Sequence, residues 1–568
     1  MSTESLQTFS LLWPAGRKPA PHAVAARSAG WTVDLNLQGV VRGLTIAGCP
    51  EAFARGVLEG LCQDVEVIRY RQDILDDVRR LASLETSLEA LLPLIGGIER
   101  YYVQRERGDM LHELAHRLGE LDSYVKCMNA LGSLLAEARG EIRSAGLLRL
   151  LEITWSVEED ETFRHLSQEL PSLLAALRGT RSLTIGVNLD QDLRPSEALL
   201  VSVNTTRFTF HSTSLLRKIF GGKVDRESWE GVAPLRKIET GPGEKNRPPN
   251  PMLAPLFRDL SDLMERVCRP ITSALKRYQE VTGGFLPGLG EEIAFYIGAT
   301  RLERKLQGMG LPTCRPRLRA PQERTCSIER CYSPALAIRM AEQTRQPHSA
   351  AGVVTNDVNI DRDHAILVLT GPNQGGKTTY LQSVGLAQVM AQAGLFAPGS
   401  SATVSPVDAI FTHFPVEERP EFDDGRLGEE AGRISLIFQQ ATSSSLVLLN
   451  ESLASTSHGE ALALAVDVVR ALEASGGRAI FITHLHELAA EARRLSEGNG
   501  AQSRVVSMVA LTEELSGMEG SPADTVRSTF RIVEGASTGS SHASAIARRY
   551  GISYQQLLQA LRSRGVIA

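Results

Sequence analysis

The sequence predicts a multidomain protein, in which an α-helical core with a small inserted β-sheet precedes an α/β domain built on a phosphate-binding loop. Three observations support this fold class. Apolar residues recur at helical spacing through the first half of the chain, short β-type runs begin near Arg181, and strands alternate with helices in the C-terminal part. A length of 568 residues suffices for about three or four domains.

The N-terminal segment, residues 1–33, contains prolines and scattered arginines but no apolar stretch followed by a cleavage site. We therefore expect a poorly ordered arm that is neither a signal peptide nor a membrane anchor. No window of the chain approaches the roughly 18 consecutive apolar residues that a membrane span requires. Apolar and charged contents of 42% and 22% are ordinary, and they predict a soluble, globular, cytoplasmic protein.

Residues 34–330 are predicted to form the helical core, because their apolar side chains repeat with a period of about 3.6 residues. Such stretches include Asp73–Leu92, Met110–Arg139 and Leu256–Thr282. Within this core, residues 181–250 contain three short β-type runs separated by turn residues. This change of period predicts a small sheet inserted among the helices.

Residues 331–568 alternate between apolar runs of strand length and amphipathic segments of helix length, as a doubly wound parallel sheet requires. Two later segments, Val505–Leu511 and Val526–Val533, are typical of antiparallel edge strands. Two helices, Ser541–Tyr550 and Tyr554–Arg564, are predicted to close the chain.

The octapeptide from Gly371 to Thr378 matches the pattern G-x-x-x-x-G-K-[ST]. It follows the apolar run Ala365–Leu369, which suits a strand buried on both faces, and it precedes Thr379–Ala393, which has helical spacing. In this setting the backbone N–H groups of the loop point at phosphate oxygens and the helix N-terminus adds partial positive charge. An ordinary glycine turn is the alternative interpretation, which the strand–loop–helix context disfavours.

This loop predicts ATP and Mg²⁺ as cofactors. Lys377 would neutralise the β- and γ-phosphates, and the Thr378 hydroxyl would bind the metal. We expect the Lys377 side chain to face solvent without nucleotide, so that its replacement leaves the fold intact. The residues expected to contact the nucleotide are Gly371, Pro372, Asn373, Gln374, Gly375, Gly376, Lys377, Thr378 and Thr379.

The apolar run Leu446–Leu449 ends in Asn450 and Glu451. A nucleotide triphosphatase needs, at such a strand end, one residue that holds hydrated Mg²⁺ and one that orients the attacking water. Glu451 suits the second role, although a lone strand-end carboxylate is the alternative. Asn450 stands where an aspartate is expected. Its amide oxygen accepts a hydrogen bond but brings no charge, so we expect weaker Mg²⁺ binding and lower turnover.

The next predicted strand, Arg478–Thr483, is followed by His484. A histidine at this strand end suits a side chain that senses the γ-phosphate, and an ordinary surface histidine is the alternative.

The net charge of −5 argues against a surface that is basic throughout, so any nucleic-acid contact must be local. Between Arg207 and Arg247, however, basic residues outnumber acidic ones by nine to five. Within this stretch we expect Arg217, Lys218 and Lys223 to contact DNA. A solvated loop with a chance excess of charge is the alternative.

The seven cysteines are widely spread, and only Cys326 and Cys331 lie close in sequence. Their C-x₄-C spacing lacks a second pair of ligands, which favours buried or free thiols over a zinc site.

Several stretches resemble, in the same order, the motifs of the MutS family of DNA mismatch-repair ATPases, which belong to the wider class of ABC-type ATPases. The phosphate loop differs from that family's at Gln374, where methionine is usual, and at Thr378, where serine is usual. The similar stretches are Arg69–Asp73 at the start of the core and lever helices, Gly371–Tyr380, Glu451–Ser457, Ile482–His484, and Phe530–Gly535 followed by Ser541–Gly551.

The resemblance implies a helical core and lever domain with a clamp-like insert, followed by an ABC-type ATPase domain in which Glu451 and His484 are catalytic and Thr378 and Asn450 lie at the metal. It also implies an ATP-gated homodimer with composite nucleotide sites. Such a dimer would contact the DNA backbone with low sequence specificity and act in mismatch repair or in related repair or recombination.

The chain also departs from the family pattern. Gly425, within Asp424–Glu430, falls where a serine is expected to reach the partner's nucleotide, so the resemblance does not extend to the side chain that activates hydrolysis in the partner. The family's mismatch-reading domain, with its Phe-x-Glu wedge, has no room before Asp34, and no nuclease-like domain follows the ATPase domain. We therefore expect a shortened MutS-like protein.

A rival function is a nucleotide-dependent scaffold that binds ATP, hydrolyses it poorly and engages a protein or ribonucleoprotein. Salt-dependent DNA binding separates this rival from the DNA clamp, because phosphate contacts release counterions. A metabolic kinase is a third alternative, disfavoured because no acceptor-binding site is recognisable.

Overall fold

A computed structural model describes residues 9–17, 30–104, 110–179, 182–193, 195–204, 206, 273–276, 278, 285–344, 352–415, 425–496, 505–515, 525–535 and 554–564. The described residues divide into two compact units. The first contains those of Ala90–Glu137 and Leu150–Gly288, and the second contains those of Thr8–Glu89, Ala138–Arg149 and Leu289–Ala568. This division differs from the predicted boundary at residue 330, because the first helices of the chain belong to the same unit as the α/β region.

The predicted elements that lie within the described residues occur in the predicted order, together with helices, among them α7 and α10 below, and four strands that the sequence did not predict. In chain order the helices are α1 (Trp31–Asp34), α2 (Leu37–Leu44), α3 (Glu51–Glu59), α4 (Val65–Arg80), α5 (Ala82–Gln104), α6 (Met110–Ala138), α7 (Ala145–Glu159), α8 (Glu161–Gly179), α9 (Leu286–Gly308), α10 (Pro334–Thr344), α11 (Lys377–Gln392), α12 (Gly425–Gln440), α13 (His458–Ser475), α14 (His486–Ser496) and α15 (Tyr554–Ser563). The strands are β1 (Ser182–Leu189), β2 (Pro195–Asn204), β3 (Arg317–Leu318), β4 (Cys326–Cys331), β5 (Asn356–Ile360), β6 (Ile366–Thr370), β7 (Ser401–Val404), β8 (Ile410–His413), β9 (Leu446–Asn450), β10 (Arg478–Ile482), β11 (Val505–Leu515) and β12 (Thr525–Glu534).

Two helical features differ from the sequence prediction. The predicted helix Asp73–Leu92 is divided between α4 and α5, because Leu81 leaves the helical conformation with φ −101° and ψ 84°. Helix α7 was not predicted at all. Among the described residues, no single helix is long and apolar enough to cross a membrane; α4 together with Ala82–Ile98 passes that test only as a pair bent by 101°.

The first unit is helical and carries a β-hairpin. Its helices pack through aromatic side chains, such as Tyr124 against Phe163 with ring centroids 5.8 Å apart. Strands β1 and β2 pair antiparallel and lie where the sequence predicts the inserted sheet. The third predicted run, Arg207–Phe210, lies outside the described residues, as does the rest of the insert beyond residue 206.

The second unit contains two sheets. The larger has the strand order β12-β11-β6-β10-β9-β8, and its neighbours are parallel except for the antiparallel pair β11–β12. Strands β6, β9 and β10 are buried at every position, as expected for apolar strands covered on both faces. Strand β12 lies at the edge as predicted. The prediction of an edge position for β11 is wrong, because β11 also pairs with β6 inside the sheet. The smaller sheet, β3-β7-β4-β5, was not predicted.

Helix α11, which begins at the phosphate loop, packs tightly against the first helices of the chain. A Cβ atom on Gly385 would lie only 2.5 Å from Leu35 Cδ1, so the Leu35 side chain packs directly against the backbone of α11. Gln382 Nε2 donates a hydrogen bond of 2.7 Å to the Asp34 carbonyl oxygen, and Gln392 Nε2 donates one of 3.0 Å to that of Cys62. These contacts explain why residues 30–80 share a unit with the α/β region.

Residues 9–17 differ from the poorly ordered arm that the sequence predicts. Tyr70 Oη donates to the Ser10 carbonyl oxygen and Arg71 Nε to that of Leu12, each at 2.9 Å. Leu11 and Leu12 are buried, and the Arg71 guanidinium lies over the Trp13 ring, 4.7 Å from its centroid. Burial of two leucines and a cation–π contact fix the segment on α4.

Candidate nucleotide-binding site

The loop Gly371–Gly376 connects the buried strand β6 to helix α11, as predicted. Its turn requires positive φ at Gly371 (+132°), Gln374 (+61°) and Gly376 (+86°). Glycine is needed at Gly371 for space as well, because a Cβ there would lie 2.9 Å from Ala510 Cβ. Gln374 adopts the left-handed conformation without this freedom, which is a sign of local strain at the loop.

Lys377, the first residue of α11, is folded into the loop. Its side chain is only 4% exposed, and Nζ donates hydrogen bonds of 2.8 Å to the carbonyl oxygens of Gly371 and Pro372. Burial lowers the pKa of Lys377, and the negative charge of Glu451 opposes this effect. The prediction that this side chain faces solvent is wrong, because the loop's own carbonyl oxygens satisfy the ammonium group.

Three strand ends bring the predicted site residues together. Ile482 of β10 pairs with Leu369 of β6 on one side and with Asn450 of β9 on the other. Because all three strands are parallel, the loop, Glu451 and His484 share the carboxyl edge of the sheet, where ligands bind in open α/β sheets. Strand β10 lies between β6 and β9. Glu451, at the end of β9, is therefore separated from the phosphate loop, at the end of β6, by the width of one strand.

Thr378 and Asn450 meet at this edge. Thr378 Oγ1 donates a hydrogen bond of 3.2 Å to Asn450 Oδ1, and Asn450 is buried. A hydroxyl and an amide oxygen are oxygen ligands of the kind that Mg²⁺ accepts alongside phosphate oxygens and water. The pair therefore fits a Mg²⁺ ion, although neither side chain contributes negative charge.

Glu451 and His484 form an ion pair beside the loop. His484 Nε2 lies 2.9 Å from Glu451 Oε1. This hydrogen bond holds the pKa of Glu451 below its usual value against the opposing effect of burial, and the charges of His484 and Lys377 act in the same direction. Glu451 is therefore a carboxylate near neutral pH. It can accept a proton or a hydrogen bond from water.

A cavity of about 520 Å³ lies in front of the loop. This volume falls in the usual range for small-molecule sites. Loop and helix residues from Gln374 to Thr379 line one side together with Glu451. The other side is apolar and aromatic, and its larger side chains are Tyr332, Leu336, Met340, Val354 and Phe530.

Sequence reasoning missed this apolar wall, because Tyr332, helix α10 and Val354 carry no chemical motif. Phe530 was expected only as part of the predicted edge strand Val526–Val533 and of the MutS-like stretch Phe530–Gly535. Its backbone has φ +59°, and Asn356 Nδ2 donates to its carbonyl oxygen at 3.0 Å. A Cβ on Gly376 would lie 3.3 Å from the Phe530 ring, so glycine lets the ring lie against the loop.

The remaining predicted residues are placed as follows. Asn373 lies exposed at the tip of the loop, and Gly425 is the first residue of α12. Cys326 and Cys331 are both buried in β4, where burial raises the pKa of both thiols. Arg217, Lys218 and Lys223 lie outside the described residues.

A glycine loop that opens a helix, with a carboxylate and a histidine at neighbouring strand ends, is the arrangement typical of P-loop nucleotide-binding proteins. The chain belongs to the MutS family. The family model described as MutS domain V matches residues 367–549, which contain the whole site, and the model described as MutS2 N-terminal domain matches residues 63–309.

Curated relatives match shorter parts of the chain. An "Endonuclease MutS2" from Thermomicrobium roseum is 36% identical over 222 residues, 39% of this chain and 26% of the relative. A "DNA mismatch repair protein MutS 2" from Halobacterium salinarum is 36% identical over 148 residues, 26% of this chain and 17% of the relative. A "DNA mismatch repair protein MutS" from Chlorobium phaeobacteroides is 37% identical over 143 residues, 25% of this chain and 16% of the relative. The matched stretches thus span about a quarter or less of these relatives.

Proposed function

We propose that the chain is an ATP-dependent DNA-binding protein of MutS type, which binds ATP with Mg²⁺ at the loop 371–378 and hydrolyses it slowly. The observation that carries this proposal is the convergence of two side-chain pairs on the phosphate loop. Thr378 of α11 bonds to Asn450 at the end of β9, and Glu451, the residue after β9, pairs with His484, which follows β10. MutS family members are in general ATPases.

Each residue of the site has a distinct role in ATP binding or hydrolysis. Lys377 exchanges its bonds with the loop carbonyls for bonds with the β- and γ-phosphates. Thr378 and Asn450 hold Mg²⁺, which when bound neutralises charge that develops on the phosphates. Glu451 orients the attacking water, and His484 keeps Glu451 charged and directed toward it.

Slow turnover follows from Asn450. An aspartate at this strand end would add negative charge beside the metal, whereas an amide adds none, so Mg²⁺ affinity falls. Gly425 at the start of α12 also lacks the hydroxyl expected to reach a partner's nucleotide. Both substitutions lower the rate without removing the loop that binds ATP.

The proposal of DNA as the ligand rests on the family and on charge. The names of the relatives, mismatch repair proteins and an endonuclease, describe proteins that act on nucleic acid. We propose a homodimer with composite nucleotide sites, in which the helical core acts as a lever and the region 181–250 as a clamp. Its basic excess between Arg207 and Arg247 would bind the DNA backbone. The process served is mismatch repair or related DNA repair or recombination.

A second candidate is a nucleotide-dependent scaffold for a protein or ribonucleoprotein. The observation that favours it is the uncharged pair Thr378–Asn450, which suits a site that holds ATP longer than it hydrolyses it.

Two titrations test the proposal. The first measures the affinity of the protein for ATP with and without Mg²⁺. The second measures its affinity for plain, mismatched and branched duplex DNA between 50 and 200 mM salt, roughly the range over which phosphate contacts are lost, with and without ATP. We expect salt-sensitive DNA binding that ATP changes. ATP binding without DNA binding at any salt would favour the scaffold, and failure to bind ATP would overturn both candidates.

A further inference from the structure

The turn that carries Glu451 has an unusual backbone. Glu451 has φ +51° and Leu453 has φ +66°, so two residues with side chains lie in the left-handed region on either side of Ser452. Residues other than glycine avoid this region, and such conformations persist only where the surroundings enforce them. Something must therefore hold this turn in place.

Two contacts hold the turn from the side of β10 and the core. The Glu451 N–H donates a hydrogen bond of 2.9 Å to the Ile482 carbonyl oxygen. Leu453 is 3% exposed and packs in the core of the α/β region. Neither contact touches the residue between them.

Ser452 itself is held from β8. Its Oγ lies 2.7 Å from Nδ1 of His413, and both side chains are buried. His413 is the last residue of β8 and pairs in register with Leu449 of β9. The imidazole therefore lies beside the strand end from which the turn departs. Burial and the nearby positive charge of Arg433 lower the pKa of His413 to about 4, so the ring is neutral.

The other ring nitrogen, Nε2, is buried and has no hydrogen-bond partner among the described residues. An unpaired buried nitrogen destabilises a fold, and a leucine or phenylalanine would avoid that cost. At this position histidine therefore carries the cost of a buried nitrogen without a described partner, and what it gains over an apolar residue is the hydrogen bond between Nδ1 and Ser452 Oγ.

We propose that His413 is a positioning residue for Glu451, acting through its hydrogen bond to Ser452, which fixes the turn and aims the carboxylate. This inference rests on the proposed role of Glu451 in hydrolysis. His413 is not among the residues that line the cavity in front of the loop, and it acts through Ser452, the residue that follows Glu451.

The two amide analogues of histidine give a matched test. Asn places an amide nitrogen near the position of Nδ1, and Gln places one near Nε2. We expect H413L, H413Q and S452A each to lower kcat by about 3- to 10-fold, the range that one hydrogen bond corresponds to. H413N should recover most of the rate. The Kd for ATP should change by less than about 2-fold throughout, because the loop is untouched. In the double variant H413L/S452A the losses should not multiply, since both remove the same bond.

A second measurement does not depend on hydrolysis. Amide hydrogen exchange in residues 450–456 should be faster in H413L and S452A than in the wild type, and near the wild-type rate in H413N. The control is H364L, which removes a contact of similar length, His364 Nδ1 to Asp361 Oδ1 at 2.9 Å, in the partly exposed segment before β6. It should change neither kcat nor exchange in 450–456.

The outcomes separate the two proposals. Wild-type protein that binds no ATP would refute the proposed function, and the exchange data would still decide whether His413 holds the turn. Unchanged exchange in H413L and S452A would overturn the inference. The inference would also be overturned if H413Q kept as much activity as H413N. It would be overturned again if the loss of kcat in H413L came with an equal increase in the Kd for ATP.

Discussion

The Nε2 atom of His484 and the Oε1 atom of Glu451 lie 2.9 Å apart although the residues follow different strands, β10 and β9. The two strands are parallel and in register at Ile482 and Asn450, so their ends coincide at one edge of the sheet. The contact gives Glu451 a lowered pKa and a fixed direction.

This pair predicts the pH dependence of hydrolysis. Glu451 must be a carboxylate to act, and because its pKa is lowered, activity should persist as pH falls through the usual carboxyl range and be lost only as pH falls through the lowered value. Replacing His484 by Ala removes the hydrogen bond that lowers the pKa. We expect the acidic limb of the kcat profile to move to higher pH, with a lower plateau.

The neighbouring exposed histidine supplies a control, because H486A removes an imidazole that does not contact Glu451. Its profile should match the wild type. E451Q should lower kcat by about 100-fold or more, as expected for loss of a general base, while ATP still binds. An acidic limb that stays in place in H484A would show that the ion pair does not set the pKa.

Replacing Lys377 should abolish nucleotide binding with little change in the stability of the nucleotide-free protein. In K377M the apolar stem remains and the buried charge, whose pKa is lowered by burial, is removed. The nucleotide-free protein should melt within a few degrees of the wild type, since loss of two hydrogen bonds is offset by loss of a buried ammonium group. ATP stabilises the wild type by about 2.7 kcal/mol at 100 times its Kd, and this increment should vanish in K377M. A variant that retains the ATP-dependent increase in melting temperature would show that Lys377 does not contact the phosphates.

Asn450 predicts a gain of function. Asn450→Asp places a carboxylate next to Thr378 Oγ1, which is 3.2 Å from the present amide oxygen. We expect Mg²⁺ to reach half-maximal effect on ATP binding at a concentration about 10-fold lower, and kcat to rise. N359D, a similar change at an exposed position of β5 that does not line the cavity, is the control. If wild type and N450D need the same Mg²⁺ concentration, Asn450 does not lie at the metal.

The sequence predicts the central strands of the larger sheet because their signals are local. The apolar runs that became β6, β9 and β10 are buried on both faces and therefore read as continuous hydrophobic segments. Asn450, Glu451 and His484 were identified as site residues because they follow these strands, where a nucleotide triphosphatase places such side chains.

Features that depend on contacts between distant residues were not predictable in this way. The packing of Leu11, Leu12 and Trp13 on α4 joins residues about 60 positions apart, so the segment reads as a loose arm in sequence. Lys377 faces inward because of carbonyl oxygens that its own loop turns toward it. The contact between His413 and Ser452 depends on the order of strands in the sheet, which no periodicity encodes.

The last prediction concerns the basic stretch between Arg207 and Arg247, for which the sequence is the only guide. If Arg217, Lys218 and Lys223 contact DNA phosphates, neutralising all three should lower affinity for plain, mismatched and branched duplexes alike. Each lost contact should reduce the slope of log K against log salt by up to about 0.9, so the triple variant should lose up to about 2.7. Neutralising three exposed lysines elsewhere, Lys126, Lys276 and Lys305, changes the net charge equally and should leave the slope nearly unchanged. If the slope of log K against log salt is the same in the wild type and in the variant that neutralises Arg217, Lys218 and Lys223, the DNA contacts lie elsewhere or the scaffold is favoured.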